Sequence, residues 1–247
     1  GPVLFAGFAV GGEVYRCEDH GCGCGWEYGY SPGEPMGRPW GSAYIQLLAT
    51  ASDQVSNVYR PLQSMVRNGP LGDQMRVGEG FIRLPNEGII EVVTSSAQAR
   101  LGNPITFCAQ DETQNYTSTN GMIEVAETMR RGVAGMKGRS VETTNCYNRS
   151  IVSTASKTRM SKRVDIFKFY DEPPSDLNYT IPAERRAIHE YNYRGIGHAD
   201  VDTIEAEAAE LVETDPAQAE RFYGNRIRAG FDAAFDTSRW AALLRPN

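Results

Sequence analysis

No apolar run in this sequence is long enough to cross a bilayer. Apolar residues fill 40% of the 247 positions, yet no run approaches the roughly 18 to 20 uninterrupted apolar residues that a membrane helix needs. The apolar opening "PVLFAGFAV" has neither a basic lead nor a small-residue cleavage site, so a cytoplasmic protein without membrane contact is expected. Positive charge is also short: 25 Lys and Arg stand against 31 Asp and Glu, a net charge of -6. That balance excludes a chain-wide electrostatic footprint for nucleic acid and leaves only local patches for such contact. Cysteine is sparse and uneven. Cys17, Cys22 and Cys24 fall close together while Cys108 and Cys146 sit singly in apparent strands, which is not the spacing of a secreted disulfide framework. The Asn-x-Ser/Thr triplets at Asn115, Asn148 and Asn178 are then chance matches rather than glycan acceptors. His189 and His198 have no Ser, Cys or Asp at a suggestive spacing. They read as ordinary surface or partly buried residues, and a nucleophile–histidine triad has little support.

What is present is an alternation of strand and helix patterns. "PVLFAGF" (2–8), "AYIQLLA" (43–49), "GIIEVVT" (88–94), "PITFCA" (104–109), "SVETTN" (140–145) and "VDIFKFY" (164–170) are short apolar or β-branched runs that read as strands. After Ser52, residues Val55, Val58, Tyr59, Leu62, Met65 and Val66 recur at helical spacing, as do Met122, Ile123, Ala126, Met129, Val133 and Met136 before Gly138. Several strands are apolar on both faces, which predicts an α/β fold with a mostly parallel sheet flanked by helices. A Gly/Pro-rich insertion runs from Gly11 to Gly41. Past "DEPPSD" (171–176) the pattern becomes helical, with starts signalled at Thr180 with Pro182 and at Asp215 with Pro216. The expected organisation is a core over 1–170 and a helical linker over 171–247.

The chemistry-bearing feature is "FCAQDETQ". Ligands of open parallel sheets bind outside the carboxyl ends of the strands, and Asp111 and Glu112 fall where the strand over 104–109 should end. An Asp there can hold Mg²⁺, and the following Glu can orient and deprotonate a water attacking a γ-phosphate. The same pair also serves as plain turn chemistry leading into a helix. No G-x-x-x-x-G-K-[ST] phosphate loop accompanies it, and "AVGGEV" near Gly11 lacks the Lys and the hydroxyl.

The order of motifs resembles the ATPase domain of phage large terminases, the motors that pump DNA into procapsids. In that family an Arg-Gly pair precedes an apolar strand ending in Asp-Glu, the Walker B position, and a Thr-rich strand end follows one helix later. The corresponding residues are Arg100 with Gly102, separated by Leu101, then Asp111 and Glu112, then Thr143, Thr144 and Asn145. "LLATASDQVSNVYRPLQSMV" carries a Q-x-x-N pattern at Gln54 and Asn57, and "GEPMGRPW" looks like the version in phages of actinobacteria. The resemblance implies a P-loop NTPase-like fold of the ASCE type, ATP and Mg²⁺ as cofactors, and Asp111 as Mg²⁺ ligand. It further implies Glu112 as activator of the hydrolytic water and Arg100 as an arginine finger toward a neighbouring subunit. Thr143, Thr144 and Asn145 would sense the γ-phosphate and relay its loss. The implied partners are double-stranded DNA, other terminase subunits in a ring, and the portal protein. The chain also stops where the family's nuclease would begin, so it reads as a terminase interior expected to lack appreciable hydrolysis by itself.

A different chemistry is offered by "RCEDHGCGCGW". Cys17, His20, Cys22 and Cys24 supply four Zn²⁺ ligands of the preferred types, with glycines to bend the loop. The compressed spacing leaves structural Zn²⁺ and reduced surface thiols as open alternatives. On the first, the chain would be a non-catalytic binding or assembly module with a zinc-stabilised loop. A metal hydrolase using Asp111 and Glu112 lacks a third carboxylate by spacing. The basic runs "MRRGVAGMKGR" (129–139) and "KTRMSKR" (157–163) read as solvated surface or as phosphate or subunit contacts.

Overall fold

The computed structural model describes residues 15–16, 35–36, 42–50, 52–69, 72–84, 87–93 and 103–229. The chain divides into two compact units, 1–143 and 144–247. The change of character read at 171 falls inside the second unit. The strand expected over 2–8 lies outside the described residues. Among those described, no helix is long and apolar enough to cross a membrane.

In the first unit, β1 (Tyr15–Arg16) and β2 (Pro35–Met36) form a separate antiparallel pair. Among the described residues the main sheet has six strands: β3 (Tyr44–Leu48), β4 (Arg76–Val77), β5 (Phe81–Arg83), β6 (Ile89–Val93), β7 (Phe107–Gln110) and β8 (Arg139–Glu142), in the order β4-β5-β6-β3-β7-β8. The pairings β6-β3, β3-β7 and β7-β8 are parallel, and the β4-β5-β6 edge is antiparallel. This is the mostly parallel sheet flanked by helices that the sequence predicts. The β4-β5 hairpin was not foreseen, because two- and three-residue strands carry no readable period. Its signal is the "GEG" turn, where Gly78 N–H donates to Phe81 C=O at 2.7 Å.

Period 2 places alternate β3 side chains on opposite faces, and both faces are covered. Ile45 and Leu47 pack with Tyr59, Leu62 and Val66 of helix α1 (Ser52–Asn68) and with Ile82 and Ile90. Leu48 packs on the other face with Val93, Cys108 and Tyr116, and with Met122, Val125, Ala126, Met129 and Val133 of helix α2 (Met122–Gly135). A parallel strand buried on both sides needs this near-continuous apolar composition.

The second unit holds α3 (Thr154–Met160), α4 (Pro182–Asn192), α5 (Val201–Thr214) and α6 (Pro216–Phe222). Ser153 and Ser156 close a reciprocal capping box at α3. Asp200 and Asp215 accept backbone N–H groups at the starts of α5 and α6. At α4 the expected start at Thr180 moves by one residue: Ile181 occupies the cap ahead of Pro182, and the Thr180 hydroxyl donates to Asn178 Oδ1 at 2.8 Å instead. Among the described residues the apolar cluster is Tyr179, Ile188 and Ala219, with Leu177, Leu211, Val212 and Tyr223 beside them.

Two strand expectations are corrected here. β8 stops at Glu142, so Thr143 to Asn145 are irregular. Residues 164–170 form no ladder. Alternation alone does not make a strand when no described neighbour takes the backbone bonds, and Val164, Phe167 and Phe169 stand 101%, 90% and 81% exposed. The segment is fixed by its other side chains: Lys168 Nζ donates to Arg159 C=O at 3.1 Å, and the Tyr170 hydroxyl donates to Asn225 C=O at 3.0 Å.

Candidate active site

β7 runs between β3 and β8, parallel to both, and its carboxyl end carries Asp111 and Glu112. The ladder with β3 continues one step past the strand, since Asp111 N–H donates to Leu48 C=O at 3.0 Å. Glu112 then takes φ 57° and ψ 41°, the left-handed region where a side chain with a Cβ is uncommon and costs of order 1–2 kcal/mol. The turn is held against that cost from several sides. Glu112 N–H donates to Asp111 Oδ1 at 3.0 Å. A 3₁₀ turn over Thr113–Asn115 follows. The fully buried Tyr116 donates its hydroxyl to Leu48 C=O at 2.6 Å. Burial, and secondarily the charge of Asp111, push the Tyr116 phenol far above its ordinary value, so it serves as a fixed donor.

The side chains converge in the same way. The Thr143 hydroxyl, just past β8, donates to Asp111 Oδ1 at 2.6 Å. Backbone bonds fix it there: Thr143 N–H donates to Gln110 C=O at 2.9 Å, and Thr113 N–H donates to Thr143 C=O at 3.2 Å. Glu112 Oε2 accepts from the side-chain amide of Gln114, and from Asn115 Nδ2 at 3.4 Å. Asn120 ties this turn to α2, donating to Asn115 C=O at 2.8 Å and accepting from Met122 N–H at 3.1 Å. Sequence reading did not single out Gln114 or Asn115. Their placement two and three residues after Glu112 in a tight turn is the signal that could have done so.

The structure therefore brings together Asp111, Glu112 and Thr143. Thr144 and Asn145 begin the second unit, where the Thr144 hydroxyl donates to Asn145 C=O at 2.8 Å. Arg100 lies outside the described residues, and so do Cys17, His20, Cys22 and Cys24. Asn57 is exposed on α1. No group of three or more His, Cys, Asp or Glu able to hold a metal occurs among the described residues. The donor set still suits Mg²⁺, which takes one or two carboxylates and fills its remaining positions with phosphate and water. Asp111 Oδ1 carries two donors, and no described residue donates to Oδ2.

One residue departs from expectation: His189 is fully buried rather than at the surface or partly buried. Its Nε2 lies 2.7 Å from the Tyr179 hydroxyl, and its Nδ1 lies 2.9 Å from Glu205 Oε2, although the latter approach is out of line for a hydrogen bond. Among the basic run 129–139, Arg130 pairs with Glu142 and Arg131 donates to Thr128 Oγ1 at 2.8 Å. Cys108 is buried and its thiol is pushed up to about 12, mainly by desolvation, which leaves it unreactive.

No protein-family profile matches the chain. The Gene 13 protein of Mycobacterium phage L5 is 27% identical over 160 residues, covering 58% of this chain and 27% of that protein. The crystal structure of the HK97 bacteriophage large terminase superposes with a TM-score of 0.58 at 18% identity, over 75% of this chain and 40% of that one. The ATPase domain of the Thermus phage P74-26 large terminase matches with a TM-score of 0.44 at 12% identity, over 75% of this chain and 77% of that one. The chain spans well under half the length of its phage L5 and HK97 relatives. With a mostly parallel sheet of six strands among the described residues and flanking helices, the chain shares the fold of part of the HK97 bacteriophage large terminase.

Proposed function

We propose that this chain is the ATPase-core portion of a phage terminase large subunit, part of the motor that uses ATP hydrolysis to package double-stranded DNA into procapsids. The observation that carries the reading is Asp111 and Glu112 at the carboxyl end of a central parallel strand, with Thr143, just past the neighbouring strand, bonded to Asp111 at 2.6 Å. Asp111 would hold Mg²⁺, whose chemistry is to neutralise phosphate charge. Glu112 would orient and deprotonate the attacking water. Gln114 and Asn115 hold one oxygen of its carboxylate and so orient the group. Thr144 and Asn145 would complete the coupling segment with Thr143, and Arg100 would stabilise transition-state charge on a neighbouring subunit's nucleotide. A ring of such subunits, the portal protein and DNA are the partners, in the host cytoplasm.

The sequence contains no phosphate loop, and positioning of the phosphates is most of the catalysis in this class. The chain alone is therefore expected to show no appreciable ATP turnover. The test extends the reading frame upstream. A product that includes a Gly-rich loop with Lys-Ser/Thr should hydrolyse ATP, and Glu112→Gln should lower kcat by about 10²- to 10⁴-fold. Turnover that survives Glu112→Gln in such a product would overturn the assignment.

A further inference from the structure

The Thr143 hydroxyl is already committed. It donates to Asp111 Oδ1 at 2.6 Å, and the same oxygen accepts Glu112 N–H at 3.0 Å. Two donors on one carboxylate oxygen fix the plane of the group and leave Oδ2 as the open face. The hydroxyl has little freedom to do otherwise, because its own backbone is bonded on both sides, to Gln110 C=O at 2.9 Å and from Thr113 N–H at 3.2 Å. Both partners belong to the first unit, each one residue past the end of one of two adjacent parallel strands.

We propose that Thr143 is a positioning residue for a divalent cation of the Mg²⁺ type at Asp111, turning Oδ2 toward the cation and linking its occupancy to the end of β8. This rests on the reading of Asp111 as the metal-holding carboxylate, and it changes the role of Thr143 within that reading. A hydroxyl whose proton is given to Asp111 reaches the phosphate only through the carboxylate and its metal. Cation binding at Oδ2 draws electron density from Oδ1 and weakens the Thr143 bond, so the strand end registers the metal. Groups that hydrogen-bond a metal's ligands typically change affinity by about 10- to 100-fold when removed.

The test titrates the isotope-labelled chain with MgCl₂ alone and follows the backbone amide shifts of Asp111 and Glu112. The native chain should show a saturable shift, abolished in Asp111→Asn. Thr143→Val should bind about 10-fold more weakly or worse, and Thr143→Ser should return close to native affinity. If Thr143→Val fails to fold, Thr143→Ala makes the same comparison. Spectra unchanged away from the site separate loss of the hydroxyl from misfolding. Native affinity in the valine or alanine variant overturns this proposal while leaving Asp111 as the metal ligand, and so does a serine variant as weak as valine. Absence of any saturable shift at Asp111 in the native chain overturns both.

Discussion

The two units keep their interiors by different means. The first buries apolar side chains on both faces of a sheet: Ile45 and Leu47 toward α1, Leu48 and Cys108 toward α2. Among its described residues, the second has Tyr179, Ile188 and Ala219 as its buried apolar cluster and adds buried charge. Arg226, 1% exposed, donates to Leu177 C=O at 2.8 Å and to Pro174 C=O, and pairs with Glu220 at 2.9 Å. Glu220 also takes Arg228 at 2.7 Å. Arg185 and His189 share Glu205. An apolar interior degrades gradually as methylenes are removed, whereas a buried ionic network fails when one partner is lost and the others are left charged and dry.

Four changes sharpen that contrast, from the largest effect to the smallest. Glu220→Ala leaves Arg226 buried without its carboxylate, and should lower the stability of the second unit by about 3–5 kcal/mol. Urea unfolding followed by probes in each unit should show the second melting early and the first unchanged. Equal loss in both would mean the units do not unfold separately. Leu47→Ala removes packing from the first unit and should cost about 2–5 kcal/mol by the same assay, with the order of the two transitions reversed.

The third change is pH. Burial holds the His189 imidazole below its ordinary value. Glu205 opposes that shift, and Arg185 and Arg186 reinforce it. The folded state therefore favours the neutral ring. Its contribution is present above the unfolded-state value of about 6.5 and is lost as pH falls below it. The melting temperature of the second unit should drop on acidification below that point, and His189→Gln should flatten the dependence. An unchanged slope in the variant assigns the effect to carboxylates instead. Last, Ser153→Ala removes a side-chain acceptor at α3 and should cost about 1 kcal/mol, detectable as faster amide exchange over 154–157.

The same contrast sets how much could be read from the sequence. Strands buried on both faces announce themselves, so β3, β6 and β7 were legible, and so was the position of Asp111 and Glu112 at a strand end. Thr143 was singled out only through a family resemblance, and its bond to Asp111 was not legible. The two stand 32 residues apart, and only the β7-β8 register brings them together. The burial of His189 was hidden for a related reason. Its partners Tyr179 and Glu205 come from outside its own helix, and nothing in the spacing of α4 distinguishes a buried imidazole from a surface one. Residues 164–170 show the converse error: their alternation reads as a strand, and only the missing neighbour decides otherwise.

Glu112 keeps a side chain at a backbone setting that glycine or asparagine would occupy with less strain. Random drift should favour those residues there, each gaining stability and losing the carboxylate. In a library of position-112 variants selected only for folding, glycine and asparagine should therefore rise above glutamate. Under selection for the ATP turnover proposed above, glutamate should return. The gap between the two outcomes would measure how strongly selection holds the acid at this position.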